Sequence, residues 1–197
     1  RRDRGRAPRG AHPAGEWPAS AVACRGPRSR CTAALDRGLF EKRNRRQSAF
    51  FWEERNAWFS DVWMDIKGTS QHLGDRAARL RSAAFPFEIP YRLINMFSVK
   101  GDTVVDPFLG IGTTMWAAMT AGRNCIGYEI EGELRSKIDV IKRTILPFAN
   151  GKIINRIGKH LDYLDANINS KSGFNYKNVY YNYPVKTRQE TEILINT

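Results

Sequence analysis

Val104-Val105-Asp106-Pro107-Phe108-Leu109-Gly110-Ile111-Gly112-Thr113-Thr114 is the stretch whose reading decides the fold. The valines end a short apolar run suited to a buried strand, and Asp106 closes it. Pro107 and two glycines make a turn, and two hydroxyl residues open a helix. The first N–H groups of a helix have no partner within it, and glycine lets a ligand come close to the backbone. A strand–turn–helix of this kind can therefore hold a polar group. Fifteen residues beyond Thr114, Gly127-Tyr128-Glu129 ends a second apolar run in another acid. In nucleotide-type α/β sites a carboxylate in that position grips the ribose hydroxyls. The pair of strand ends points to a site for an adenosine-containing cofactor.

Working outward, Gly101-Asp102 turns the chain into a strand over Thr103–Asp106, and a helix over Thr113–Ala121 buries Met115, Ala118 and Met119. Gly122 is a natural residue to follow a helix, because it adopts the left-handed conformation at no steric cost. Cys125–Glu129 forms the second strand. Strand, helix and strand in this order make a right-handed parallel crossover. Upstream, Phe85-Pro86-Phe87-Glu88-Ile89-Pro90 leads into a helix, with Pro90 in its first turn and Ile89, Leu93, Ile94 and Phe97 on one face. Downstream, Leu134, Ile138, Ile141 and Ile145 give a helix halted near Pro147. A further helix follows Asn150, with Ile153, Ile157, Leu161, Leu164 and Ile168 on one side. Asn167–Asn175 is a polar loop, and Tyr176–Val185 and Glu192–Ile195 have β-type composition. The fold class is α/β: a partial Rossmann-like sheet with flanking helices.

The chain has 197 residues, enough for one domain with a core, and a formal charge of +12 that favours a polyanionic partner. The charge is unevenly spread. Residues 1–46 carry +9 and the remainder +3. Up to about Arg37 the chain is Arg, Pro, Ala and Gly without isoleucine, and Pro8, Gly10, Pro13, Gly15 and Pro18 break any periodicity. Residues 1–46 are read as a basic, disordered or non-native tail, with a phosphate-binding arm as the alternative. Residues 47–197 are the folded portion. Phe50, Phe51, Trp52, Trp58, Phe59 and Trp63 form an aromatic block interleaved with Glu53, Glu54 and Asp61. The acids would repel phosphates, so packing outweighs base stacking as its role. Three widely spaced cysteines and three histidines favour neither a metal site nor a disulfide framework. No apolar run approaches the roughly 18 residues of a membrane span, and no secretory signal is visible, so a cytoplasmic protein is expected.

Gly110-Ile111-Gly112 alone is a weak signal, because Met115 stands where a dinucleotide site has its third glycine. That departure, with Asp106-Pro107 at the strand end, excludes an NAD-type dehydrogenase. The combination is more specific: Asp106-Pro107-Phe108 before the glycines, Thr113-Thr114 after them, and Phe85-Pro86 with Ile89-Pro90 and Arg92-Leu93-Ile94 upstream. With these motifs the chain resembles the DNA amino-methyltransferases, in the permuted order that places the cofactor-binding half last. The resemblance covers Gln47 to Gly132 well and Tyr183–Glu190 more loosely. It implies a methyltransferase sheet that takes S-adenosylmethionine as cofactor and double-stranded DNA as substrate, methylating cytosine N4 or adenine N6. It implies, too, a restriction-modification setting with a cognate endonuclease. The block from Phe51 to Trp63 resembles the cytosine branch. Asp106, Phe108, Gly110 and Gly112, followed by Thr113 and Thr114, match the family's methionine and ribose pocket. Phe85-Pro86 matches the segment that closes over the methionine end, and Glu129 the ribose acid.

The family's chemistry also needs an Asp/Ser/Asn-Pro-Pro-aromatic loop that holds the target amine and stacks on the flipped base. None of the nine prolines is next to another, so that loop is missing from this sequence and no catalytic residue is assigned. The chain is expected to be the cofactor-binding portion of such an enzyme, inactive without a catalytic half. A non-catalytic nucleic-acid-binding protein on a degenerate methyltransferase fold is the alternative.

Overall fold

The computed structural model describes residues 20–24, 37–66, 85–167 and 173–195. Strand β1 is Ser20–Cys24, followed by helices α1 (Arg37–Gln47), α2 (Trp52–Trp58) and α3 (Glu88–Phe97). Strand β2 (Thr103–Asp106), helix α4 (Thr113–Thr120) and strand β3 (Asn124–Glu129) form the crossover. Helix α5 spans Arg135–Asn167, and the short strands β4 (Tyr176–Lys177) and β5 (Pro184–Val185) precede a 3-10 helix at Arg188–Glu192.

The strand–helix–strand reading holds. β2 and β3 pair in parallel, from Thr103 opposite Asn124 to Asp106 opposite Gly127. Helix α4 ends one residue before the expected Ala121, and Gly122 takes the left-handed conformation after it at φ +73. Met115 and Ala118 are fully buried and Met119 is packed against the same cluster. That cluster joins Trp58, Tyr91, Ile94, Leu109, Met115 and Cys125 to Ile138 of α5. A second one gathers Phe51, Leu164, Tyr183, Val185 and Ile193 around the far end of α5. Packing is thus the role of Phe51 and Trp58 in the aromatic block.

Four expectations need correcting. First, the tail is not irregular throughout. Ser20–Cys24, a short apolar run clear of Pro18, pairs antiparallel with the outer edge of β3, Ser20 opposite Glu129. Backbone hydrogen bonding to an open edge fixes this run, which has no sequence period to reveal it. Helix α1 likewise lies almost wholly inside the expected tail. Residues 1–19 and 25–36 lie outside the described residues.

Second, helix α3 is turned away from its predicted face. Tyr91, Ile94 and Asn95 are buried, whereas Leu93 is exposed and Phe97 is 75% exposed. Tyr91 stacks on Phe87 and meets Trp58 edge-on, and its hydroxyl accepts a hydrogen bond from Arg156. A large ring with a satisfied polar tip wins the inward position over leucine.

Third, Pro147 does not end a helix. α5 runs through it for 33 residues. A proline inside a helix loses a hydrogen bond and crowds the preceding turn, at about 3 kcal/mol. Ile138, Ile141 and Ile145 are buried on one side of it and His160 and Leu164 on the other, so tertiary packing on both sides offsets the defect. Ile153 and Ile157 pack as predicted, Leu161 is exposed, and Ile168 lies outside the described residues.

Fourth, Glu192–Ile195 is not a strand. Glu192 ends the 3-10 helix, and Ile193 and Ile195 are buried without regular structure. Buried polar groups hold this region. Asn178 donates to the carbonyls of Glu190 and Ile193, while its Oδ1 accepts from the N–H groups of Tyr180 and Tyr181. Glu190 accepts from Trp52 N–H at 2.8 Å and from Thr187 N–H at 2.6 Å, tying α2 to the C-terminal segment.

Candidate cofactor site at two strand ends

The site sits where β2 and β3 end side by side, the edge at which open α/β sheets bind ligands. Asp106 is half-buried, and its Oδ1 accepts the Phe108 N–H at 3.0 Å, which shapes the turn. Leu109 N–H donates to the Tyr128 carbonyl at 2.9 Å, so the loop after β2 is laced to β3. The Leu109 side chain is buried and lies on Gly127, where an added Cβ would sit 2.6 Å from Leu109 Cδ2. Gly127 is the contact that sequence reasoning missed. A glycine inside a strand pattern is the signal for such close approach.

The two glycines of the turn differ. Gly110 has φ +56, and its N–H donates to Glu129 Oε2 at 2.6 Å. A Cβ there would meet nothing nearer than the Phe108 carbonyl at 4.0 Å. Gly112 has φ +89, and a Cβ there would come within 2.7 Å of Ile141 Cδ1. Space for a neighbouring helix, rather than for a ligand, is what Gly112 provides. Its N–H donates to Leu109 O and its carbonyl receives Trp116 N–H, both at 2.9 Å, which starts α4.

Glu129 faces the turn. One oxygen accepts from Gly110 N–H and the other from Glu131 N–H at 2.9 Å, so two backbone donors fix the carboxylate at the strand tip. Phe108, two residues before Gly110 in the same turn, is 88% exposed, and Ile130, next in sequence to Glu129, is exposed as well. Thr113 and Thr114 stand at the start of α4, both half-buried. Asp106, Phe108, Gly110, Thr113, Thr114 and Glu129 are thus gathered at the two strand ends, while Gly112 is turned into the packing beneath them. Phe85 and Pro86 are placed by a different element. They precede α3, which packs on α4, and the Pro86 carbonyl accepts the Ile89 N–H at 3.1 Å; Phe85 is exposed.

This arrangement falls within a recognised sequence family. Residues 33–139 match the family model described as DNA methylase, of the N6/N4 type. The chain belongs to the N6/N4 DNA methylase family. The match begins ahead of Gln47, so it takes in α1 as well as the strand ends. Among curated relatives, the type II methyltransferase M.MthZI of Methanothermobacter thermautotrophicus is 49% identical over 153 residues, 78% of this chain and 42% of the relative. The type II methyltransferase M.MjaI of Methanocaldococcus jannaschii is 46% identical over 113 residues, 55% of this chain and 36% of the relative. This methylase-family chain thus spans less than half the length of the curated relatives it matches. A solved structure from Thermus thermophilus, described as a DNA modification methylase complexed with S-adenosyl-L-methionine, is 33% identical and aligns with 52% of this chain and 37% of that one, at a TM-score of 0.43. Among the described residues, no helix is long and apolar enough to cross a membrane.

Proposed function

We propose that this chain supplies the S-adenosylmethionine-binding half of a site-specific DNA methyltransferase acting on the exocyclic amine of cytosine or adenine. The observation that carries the reading is the Glu129 carboxylate, held on Gly110 N–H at the tips of two adjacent parallel strands. Each of its oxygens accepts one backbone hydrogen bond and keeps a further acceptor direction. Two ribose hydroxyls are donors that such a carboxylate satisfies with charge-assisted bonds. Phe108, two residues before Gly110, and Ile130, next to Glu129, offer exposed apolar surface for the adenine and the sulfonium end, where a ring face attracts a cation. Asp106 is the acid within reach of the methionine ammonium, with Gly110, Thr113 and Thr114 lining the turn. Phe85 and Pro86 are assigned to closing that end.

When bound, the cofactor supplies an activated methyl group. The residues here hold and orient it, and orientation is a large part of what transfer between two bound reactants requires. The amine-holding loop is not in this sequence, so catalysis calls for a complementary half. One edge of β2 has no strand partner among the described residues, and Val105 on it is exposed. An open edge presents backbone N–H and C=O groups that a further strand can pair with, which supports docking of the catalytic half at that edge. Double-stranded DNA is the proposed substrate, and the type II names of the relatives support a cytoplasmic restriction-modification role with a cognate endonuclease.

Calorimetric titration with S-adenosylmethionine tests the reading. The chain is expected to release heat at a stoichiometry of one, and Glu129→Gln to bind roughly ten-fold or more weakly, because the amide puts a donor where a ribose hydroxyl needs an acceptor. No heat from the unaltered chain would sink the proposal. A second reading, nucleic-acid binding without methyl transfer, draws support from a groove of about 890 Å³ walled by Lys42, Arg45 and Arg55 beside the exposed rings of Phe59 and Phe97. It lies at the opposite end of β2 from the turn, against Val99 and Asp102. DNA affinity that falls steeply with salt in a chain giving no heat with the cofactor is the outcome that selects it.

A further inference from the structure

A cavity of about 20 Å³ lies among α3, the C-terminal end of α4, α5 and the chain around Leu194. Lys100, Arg123 and Arg156 line it, and no carboxylate does. Thr120 lines it too, is 5% exposed, and has a buried hydroxyl with no hydrogen-bond partner. Two carboxylates act on the cluster from outside the cavity wall. Glu54 binds Arg156 at 2.6 and 2.7 Å, and the charge of Asp102 supports that of Arg123. Three cations against two acids leave an excess of positive charge in a buried place, where it is costly.

Hydrogen bonding leans the same way. A guanidinium has five N–H groups. Arg123 donates to the Ser98 hydroxyl, the Ser98 carbonyl and the Ala121 carbonyl, and Arg156 to both Glu54 oxygens and the Tyr91 hydroxyl. Both retain N–H groups beyond these. The cavity wall is therefore rich in donors, and the side-chain acceptors on it, in Gln47, Ser48, Tyr91 and Asn95, are all neutral. A water would leave the positive excess unanswered, whereas a halide accepts from the donors and offsets the charge. The volume is about that of one or two water-sized guests, which is too small for sulfate or phosphate.

We propose that this cavity binds a single small monovalent anion, of chloride size, through the Thr120 hydroxyl and the guanidinium N–H groups of Arg123 and Arg156. The position of Lys100 beside the same space adds to the attraction, and burial together with repulsion from Arg123 and Arg156 already opposes its charge. An anion there would fasten the end of α4 to α5 and to the C-terminal segment.

The test is thermal unfolding of the full chain in sodium chloride, sodium bromide and sodium gluconate at one ionic strength and pH 7, joined to anomalous diffraction from bromide-soaked crystals. A saturable rise in Tm with chloride and bromide is expected, on the order of 3–5 °C at ten times the dissociation constant, and little with gluconate. Thr120→Val, which keeps the shape and removes the donor, should shrink that difference, and a bromide peak should lie between Thr120 and Arg123. Equal Tm values in the three salts overturn the proposal. So does bromide found at the surface alone, an adventitious ion only. Should Thr120→Val fail to fold, the bromide map of the unaltered chain still decides.

Discussion

Gly110 and Gly112 stand two positions apart in one turn and answer to different neighbours. Both have positive φ, so a side chain at either is strained by about 1 kcal/mol. Only at Gly112 does the new Cβ also meet a packed side chain, Ile141 Cδ1 at 2.7 Å. Gly112→Ala is therefore expected to cost about 2–4 kcal/mol in urea unfolding, and Gly110→Ala about 1 kcal/mol. Under the proposed function the order reverses for S-adenosylmethionine affinity per folded molecule, with Gly110→Ala the more damaging because it crowds the face next to Glu129. Equal losses of stability would show that the helix behind Gly112 yields. From sequence, both glycines belonged to one ligand-facing turn. The pattern reveals that backbone must come close to something there. Whether that is a ligand or the side chain of Ile141 depends on where α5 packs, which no local pattern records.

At the scale of elements, the parts written in short periods were legible and the parts settled by competition were not. β2, α4 and β3 each carry their own signals, a β-branched run closed by an acid, small apolar residues on a helix, and glycine after it, and all three form where those signals place them. Helix α3 also forms, but which face it buries was decided by Tyr91 finding Trp58, Phe87 and Arg156. Pro147 is the other case, since a local breaker was overruled by two cores that grip α5 on either side of it. Pro147→Ala should restore a backbone hydrogen bond and raise stability by about 1–3 kcal/mol, seen as a higher urea midpoint at unchanged slope. A decrease would mean that the proline itself fits α5 to both cores. The Glu54–Arg156 pair joins α2 to α5 with both side chains largely buried. Burial disfavours the Arg156 charge, but the adjacent Glu54 and the Tyr91 hydroxyl more than offset this and hold its pKa above the usual guanidinium range. Glu54→Gln leaves that cation without its partner and is expected to cost about 3–5 kcal/mol, whereas Glu54→Gln with Arg156→Met should recover part of the loss. Double-mutant unfolding measures the coupling directly.

For the molecule as a whole, the buried cations set how stability depends on pH. Burial, then repulsion from Arg123 and Arg156, lowers the Lys100 pKa to about 8 from its ordinary value of 10.5. Ser48 Oγ accepts the Lys100 backbone N–H and the Leu194 carbonyl accepts from its ammonium, so these segments move with it. Between pH 8 and 10.5 the unfolded chain holds a proton on Lys100 that the folded chain has released. The state with more bound protons is disfavoured as pH rises, so folding becomes more favourable through that window, by up to about 3 kcal/mol. Two phenols set the upper limit. Burial raises the pKa of Tyr183 well above the ordinary 10, and raises that of Tyr181, whose hydroxyl donates to the Ile195 carbonyl. Above about pH 10 the unfolded chain loses these protons first; the two phenols outweigh Arg123, whose pKa burial lowers to about 10 and which pulls the other way, so stability falls. Urea midpoints in chloride-free buffer should accordingly climb from about pH 8 to about 10 and then drop. Lys100→Met should remove the climb and keep the drop, because the phenols are untouched. A climb that survives in Lys100→Met would assign it to another group, and a flat profile in the unaltered chain would mean that Lys100 reaches solvent.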